Sequence, residues 1–228
     1  NEHGEYKYGS VSEARETYAI ASYGKIVALT RQTLINDDLS AFTRLPEMFG
    51  RAAADLGSDT ACGTISANAA LADSIALFHA SPRNLAAGAA ISGAQLGVCR
   101  AAMRVQTGLD GRKINVTPRY LLVPAALETI AQQFTSQAYA ASASSSINPF
   151  AGALQVLAEP RLDTASTTAW YMAADPAQID TIEYAYLEGN QGVYLETKDG
   201  WEIDGVEFKA RLDFGAKAID FRGLVKGN

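Results

Sequence analysis

Few residues of this chain have the type and spacing that catalysis requires. His3 and His79 are the only histidines, and His79 stands between two apolar residues. A serine-histidine-aspartate triad would therefore depend on one isolated imidazole. The adjacent carboxylates Asp37 and Asp38 could hold a metal or transfer a proton. Because neighbouring side chains at the start of a helix point in different directions, N-capping explains this pair better.

The other candidates for ligand binding are short fragments. Asp110-Gly111 and Asp199-Gly200 resemble pieces of calcium loops, but aspartate followed by glycine is also typical of turns. Four cationic residues lie near the end of a predicted helix. Their charges complement the negative end of the helix dipole, which explains them better than a phosphate-binding site does. These cations are Arg100, Arg104, Arg112 and Lys113. The sequence predicts no catalytic residue, no cofactor and no metal.

Composition and charge exclude several classes of function. The 228 residues carry a net charge of -6 with a pI near 5.0, which argues against a surface built to grip nucleic acid. No apolar run approaches the roughly 20 residues of a membrane span, and we expect neither membrane insertion nor export. Cys62 and Cys99 have no metal or redox spacing, so we expect buried free thiols in a reducing compartment. The polar start at Asn1 suggests a missing or cleaved upstream part.

The opening stretch, residues 1–28, predicts an extended hairpin without a core. Residues 5–8 and 17–23 alternate like two short strands, but large apolar side chains are few. Such a hairpin is marginal in water, so we expect it to be supported by another molecule. A flexible terminal tail is the alternative. The next residues, 26–35, predict a strand that turns into a short helix capped by Thr30.

Two longer helices are predicted next. The first, within residues 36–68, has an apolar stripe at steps of three and four, with a bend or restart at Pro46. Its stripe is Phe42, Leu45, Phe49, Ala52 and Leu56. The second, residues 81–106, begins at Ser81-Pro82, and we expect its glycines to permit close packing. Residues 114–123 predict a strand with a bulge or edge at Pro118, and Pro124 opens another helix.

The last third of the chain predicts a low-complexity loop and then strands. Residues 137–149 are small and polar, which indicates a mobile loop or tongue. Strands are expected at 154–158, 169–173, 182–187, 193–197 and 217–224. The cleanest alternation lies in the final forty residues, with one face apolar and one face wet. The apolar positions are Val206, Phe208, Ala210, Leu212 and Phe214. Together these elements predict an α+β fold.

Two runs also carry a resemblance to a known family: IVALTRQTLINDDLSAFTRLPEMFGRAAADL and LFHASPRNLAAGAAISGAQLGVCRAAMRVQTGLDGRKINVTPRYLLVPAALETIA. They resemble the major capsid proteins of tailed bacteriophages, specifically the Mu-like major head subunit group that is often encoded fused to a prohead protease. The resemblance covers most of the chain from about Lys25 on. It implies the Hong Kong 97 capsid fold, with an E-loop hairpin, a long spine helix, a peripheral domain and an axial domain.

The resemblance implies a division of the chain and two surfaces for neighbouring subunits. The expected parts are the E-loop and return strand at 1–28, a peripheral domain at 29–112 with a spine helix at 38–68 and a second helix at 81–106, an axial domain at 113–187, and returning peripheral strands at 188–228. E-loop contacts are expected from Glu5, Tyr6, Lys7, Tyr8, Glu13 and Arg15. Axial-loop contacts are expected from Tyr139, Ser142, Ser144, Ser145 and Asn148.

The function implied is mechanical. Many copies would form hexamers and pentamers of an icosahedral shell around double-stranded phage DNA, which they would contact without sequence specificity. The implied partners also include scaffold, protease, portal and decoration proteins, and the implied location is the virion after assembly in the bacterial host cytoplasm. One alternative is an encapsulin-like compartment that encloses a protein cargo. Another is a hydrolase with an unrecognised site at His79 or Asp38.

Overall fold

The computed structural model describes residues 15–36, 44–86, 88–136, 148–200 and 204–227 of the 228. The chain divides into two compact units. The ribbon unit consists of Thr17–Ala69 and Ile182–Ala218. The core unit consists of Ala70–Thr181 and Ile219–Asn228, with the described residues before Thr17. Each unit is therefore built from segments far apart in sequence.

The described elements follow one another as strands and helices in mixed order. They are β1 (Ala21–Thr30), α1 (Arg31–Ile35), α2 (Leu45–Ala67), α3 (Gly93–Arg104), β2 (Pro118–Val123), α4 (Glu128–Thr135), β3 (Gln155–Ala158), β4 (Trp170–Ala174), β5 (Ile182–Tyr186), β6 (Tyr194–Asp199), β7 (Gly205–Ala218) and β8 (Leu224–Gly227). Short 3-10 helices precede α4, at Ala125–Leu127, and follow β3, at Pro160–Thr164.

The sheet of the ribbon unit is organised around β7. β1 pairs with one edge of β7 from Ala21 opposite Phe214 to Thr30 opposite Gly205. Along the other edge, β6 and then β5 pair with β7, and all these pairings are antiparallel. The sequence predicted that the opening ribbon lacks a partner in its own chain. That prediction is wrong for β1, because β7 supplies backbone partners along the whole strand.

Helix α2 confirms most of the predicted amphipathic pattern. Leu45, Phe49 and Leu56 are half-buried, whereas Ala52 is exposed and Ala53 takes its place on the inner side. A Cβ on Gly57 would lie 3.8 Å from the Phe214 ring, so the helix covers the apolar face of β7. Pro46 lies in the first turn, where its missing N–H removes no hydrogen bond. Of the bend or restart predicted at Pro46, the structure shows a helix start.

Capping residues lie at the start of α1 and at the end of α2. The backbone N–H of Thr33 donates to the Thr30 hydroxyl at 3.3 Å, which confirms the predicted N-cap of α1. Helix α2 continues through Gly57-Ser58 and ends at Ala67, where Asn68 adopts the left-handed conformation with φ 48°. Asparagine tolerates this conformation at a helix end better than most residues.

The core unit contains a mixed sheet in the order β3-β2-β4-β8, with β2 and β3 parallel and the other neighbours antiparallel. Helices α3 and α4 pack on one face of this sheet. Helix α3 contacts β8 at one end, and α4 contacts β3 at the other. The main buried cluster contains Leu96, Cys99, Met103, Leu121, Val123, Ala131, Trp170, Met172 and Val225. Apolar burial of this extent is the dominant stabilising term in a folded unit.

Helix α3 is shorter than predicted. The sequence indicated a start at Ser81, but the helix begins at Gly93, where the Ser92 hydroxyl accepts a hydrogen bond from the Gln95 N–H at 3.2 Å. Residues 80–83 form a turn next to the buried Asn84 amide, which accepts from the His79 N–H and donates to the Leu77 carbonyl. The expected close packing at glycines is also wrong, since open space surrounds Gly97.

Several strand boundaries also differ from the predictions. Strand β2 begins at Pro118, where its register with β4 shifts, so the predicted bulge at Pro118 is confirmed. The expected strand at 217–224 is wrong, because β7 ends at Ala218 and β8 begins at Leu224. Between them the Asp220 carboxylate accepts a hydrogen bond from the Arg222 N–H at 2.8 Å, which stabilises a turn.

Candidate assembly surfaces

Three contacts fix the residues that lead into β1. The Tyr18 hydroxyl donates to the Glu183 carboxylate at 2.8 Å, and the Lys217 ammonium donates to the Thr17 carbonyl at 3.0 Å. Gly215 permits the close approach, since a Cβ there would lie 2.6 Å from the carbonyl oxygen of Ala19. We call residues 17–22 with these partners the ribbon clamp. It holds the base of the opening ribbon against β5 and β7.

The ribbon clamp also contains a buried carboxylate. Asp213 belongs to the face of β7 that the sequence predicted to be wet, yet it is only 5% exposed. The Ser22 hydroxyl donates to its carboxylate, and the Arg211 guanidinium lies 3.4 Å from it. The Arg211 guanidinium in turn lies 5.2 Å from the centre of the Tyr194 ring. Removal of one of these partners would leave the buried charge uncompensated, which is strongly destabilising.

Tyr18 has an altered acidity within the ribbon clamp. Desolvation raises the pKa of the Tyr18 hydroxyl, and the hydrogen bond to the Glu183 carboxylate raises it further. Both effects favour the neutral phenol, which is the form that can donate to Glu183. The contact therefore persists across the neutral pH range.

The E-loop residues predicted from the resemblance lie almost entirely outside the described part of the chain. They are Glu5, Tyr6, Lys7, Tyr8 and Glu13. Arg15 is described and exposed, immediately before the ribbon clamp. Glu16, its neighbour, accepts a hydrogen bond from the Ala72 N–H at 2.7 Å. Contacts of these E-loop residues with a neighbouring subunit stay a prediction.

The axial loop is described only at its end, from Asn148 on. Tyr139, Ser142, Ser144 and Ser145 lie outside the described residues. Asn148 is described, and its side-chain amide donates to the Phe134 carbonyl while its side-chain oxygen accepts from the Phe150 N–H at 3.0 Å. Both polar ends of Asn148 are thus used within the chain. This asparagine joins the end of α4 to the start of the following turn, a role that spacing in the sequence did not indicate.

The candidates for chemistry have structural contacts in the described part of the chain. His79 accepts a hydrogen bond from the Ser81 N–H at 3.1 Å through its Nδ1 atom. The Asp110 carboxylate accepts from the Arg112 N–H at 3.0 Å, as expected of a turn. No group of acidic, cysteine and histidine side chains suited to a metal occurs among the residues described. Asp37 and Asp38 lie outside them.

The cysteines and the basic cluster complete the set of candidates. Cys99 is buried, and burial raises the pKa of its thiol to about 11, while Cys62 is only half-buried. In the basic cluster, the Arg104 guanidinium donates to the Asn115 side chain at 2.9 Å, and that of Arg100 lies 4.5 Å from the centre of the Phe150 ring. No helix in the described ranges is both long and apolar enough to cross a membrane.

Comparison with solved structures shows a similar fold in three proteins. A structure from Mycobacterium phage Patience has a TM-score of 0.62 at 11% identity, covering 99% of this chain and 78% of that one. The capsid structure of the cyanophage P-SCSP1u has a TM-score of 0.56 at 8% identity, covering 98% and 80%. The holo-SrpI encapsulin complex from Synechococcus elongatus PCC 7942 has a TM-score of 0.55 at 12% identity, covering 92% and 74%. None of the curated protein sequences shows significant similarity.

These likenesses define the class of the protein: an α+β protein with the Hong Kong 97-type capsid fold. The family assignment comes from the sequence model described as phage capsid protein, which matches residues 14–227. The chain belongs to this phage capsid protein family, and its function is that of a major capsid protein that builds a shell from many copies. Its assignment to the Mu-like group stays a prediction.

Proposed function

We propose that this chain assembles into hexamers and pentamers of an icosahedral shell that encloses double-stranded phage DNA. The observation that carries the proposal is the ribbon clamp, which fixes the base of the opening ribbon through Tyr18, Ser22 and Lys217. A fixed base lowers the entropy cost of placing residues 1–15 on a neighbouring copy. Head-to-tail contacts of this kind join unlike patches and close into rings when the rotation permits.

The charge of the chain suits this role. A net charge of -6 gives a surface that repels phosphates on average, so packaged DNA is held by confinement and counterions without sequence-specific contacts. The shell has no enzymatic task of its own. Scaffold, protease, portal and decoration proteins are further partners, and assembly takes place in the bacterial host cytoplasm before the virion is complete.

Two sets of residues are proposed to contact neighbouring subunits. The E-loop set is Glu5, Tyr6, Lys7, Tyr8, Glu13 and Arg15. The axial set is Tyr139, Ser142, Ser144, Ser145 and Asn148, of which Asn148 also closes the base of its own loop through Phe134 and Phe150. A variant with alanine at Tyr6, Lys7 and Tyr8 should leave the subunit folded and prevent stable shells.

The test is imaging and sedimentation of the purified chain. We expect closed shells or rings, and the E-loop alanine variant should sediment as smaller species with an unchanged circular dichroism spectrum. A matched control replaces Lys198 and Glu196, which are exposed on β6, by alanine. Full shell formation by the E-loop variant would contradict the proposed role of these residues. Monomers at high concentration of the unaltered chain would contradict the shell itself.

A second candidate is an encapsulin-like compartment that encloses a protein cargo. The similarity to the holo-SrpI encapsulin complex, with a TM-score of 0.55, supports this second candidate. The contents of purified shells separate the two functions. Protected double-stranded DNA supports a phage head, whereas one enzyme enriched in nuclease-treated shells supports a compartment.

A further inference from the structure

Helix α3 has an exposed apolar stripe on the side away from its own sheet. Leu96, Cys99 and Met103 are buried on the inner side. Ala94, Val98 and Ala101 recur on the outer side at steps of four and three, and Val98 is 57% exposed. Val105 continues this side just past the helix end. A helix that is apolar on both sides normally covers a second apolar surface.

The charges around this stripe have one predominant sign. Arg104 lies on the helix, and Arg112 and Lys113 follow in the next turn, where Asp110, which pairs with Arg112 at 3.6 Å, is the single acidic residue in the segment 93–115. Arg104 is held in position by the Asn115 side chain at 2.9 Å. We call this stripe with its cations the α3 face. It is apolar in the middle and basic at its margin.

The opposite end of the same sheet has an exposed apolar side chain and carboxylates, which complement the apolar and basic α3 face. Helix α4 contacts β3, whereas α3 contacts β8 at the far end of the order β3-β2-β4-β8. Helix α4 exposes Ile130, which is 40% exposed, and begins with Glu128, whose side chain is also exposed. The Asp163 carboxylate lies at the start of the 3-10 helix that precedes α4, where it accepts from the Ala125 N–H at 2.8 Å. We call Ile130, Glu128 and Asp163 the α4 end.

We propose that the α3 face of one copy docks on the α4 end of the next copy. The occupant is a second copy of this chain because the two surfaces are opposite in charge and lie at opposite ends of one sheet. A contact between unlike patches repeats from copy to copy and produces a ring. This inference rests on the proposed shell and assigns to it one lateral contact between core units.

Cross-linking of shells tests this contact directly. In a background with Cys62 replaced by serine, the double variant Val98→Cys with Ile130→Cys is assembled and treated with a short bismaleimide. We expect a ladder of linked chains on a denaturing gel, since each copy carries both reactive positions. The single variants Val98→Cys and Ile130→Cys are the matched controls and should give monomers. Dimers from Val98→Cys alone would mean that two α3 faces meet, which would overturn the proposal.

A second variant reports on the same contact without cross-linking. Val98→Asp places a carboxylate in the apolar stripe, so we expect loss of the shell peak in sedimentation while the circular dichroism spectrum stays unchanged. Val98→Ile keeps the stripe apolar and should assemble. Intact shells from Val98→Asp, or shells of the double cysteine variant without a ladder, would overturn the proposal and leave the shell function standing. Absence of shells from the unaltered chain would instead refute the proposed function.

Discussion

The core unit and the ribbon unit are stabilised by different means. In the core unit, Trp170, Leu121 and Met103 are fully buried, and two helices cover one face of the sheet. In the ribbon unit, one long strand supplies most backbone pairs, a carboxylate is buried, and Tyr184 on the edge strand β5 is 61% exposed. The core unit thus contains what a self-sufficient fold needs. The ribbon unit leaves apolar surface available for contacts in an assembly.

The largest loss of stability is expected when an aromatic ring is removed from the core unit. Trp170→Ala should lower the free energy of unfolding by about 3–5 kcal/mol, because the ring is fully buried and its indole N–H donates to the Ala89 carbonyl at 3.3 Å. The matched change in the ribbon unit, Tyr184→Ala, should cost about 1 kcal/mol. Urea unfolding of the unassembled subunit measures both. Equal losses would remove the distinction between the units.

The buried carboxylate gives the next largest effect. Asp213→Ala should destabilise the subunit by about 1–3 kcal/mol, since the Arg211 guanidinium and the Ser22 hydroxyl both lose their acceptor. Glu196→Ala is the control, because its ion pair with Lys209 at 3.5 Å is exposed and should contribute no more than about 1 kcal/mol. Hydrogen exchange of β1 amides should accelerate in the first variant only. Unchanged exchange there would show that Asp213 does not hold β1.

Substitution of Gly215 tests the close approach of two backbones at the ribbon clamp, and substitution of Gly97 in α3 is the control. Gly215→Ala introduces a Cβ 2.6 Å from the Ala19 carbonyl oxygen, so the backbone must shift at a cost of about 1–3 kcal/mol. Limited proteolysis should then cut near residues 17–20 more rapidly. Gly97→Ala, in α3 with open space around it, should stabilise by up to ~1 kcal/mol. Destabilisation by both changes to the same extent would contradict this account.

The smallest effect on stability is expected from the buried thiol of the core unit. The pKa of Cys99 is raised from 9.0 to about 11 by burial. The folded state therefore favours the neutral thiol, and this contribution is fully present below pH 9 and is lost as pH rises through 11. Cys99→Ala should flatten the decline in stability across that pH range. In the unaltered chain, native Cys99 should resist a maleimide at pH 7, and rapid labelling would contradict its burial.

Local patterns in the sequence predicted the individual elements well. Alternation at Val206 and Phe208 predicted β7, a stripe through Leu45 and Phe49 predicted α2, and Thr30 was identified as a cap. These features depend on residues a few positions apart, where side-chain spacing and hydrogen bonds act directly. The resemblance to phage capsid proteins supplied the fold as a whole. The family match over residues 14–227 confirms the family, and the similarity to solved capsid structures confirms the fold.

The features that the sequence did not reveal depend on distant segments. Asp213 is buried because Ser22, which is 191 positions away, lies against it. The pairing of β1 with β7 has the same origin, so the ribbon was wrongly predicted to lack a partner of its own. Ser81-Pro82 has the pattern of a helix start, but the Asn84 amide favours turns there and Ser92 provides the actual cap. Periodicity carries no information on such long-range contacts.

Electron cryomicroscopy of the purified full chain tests the central claim most directly. The account predicts closed shells in which residues 1–15 of each copy lie on a neighbouring copy while residues 17–30 stay clamped to their own β7. Dispersed monomers at high concentration, or shells in which residues 1–15 contact only their own copy, would contradict it.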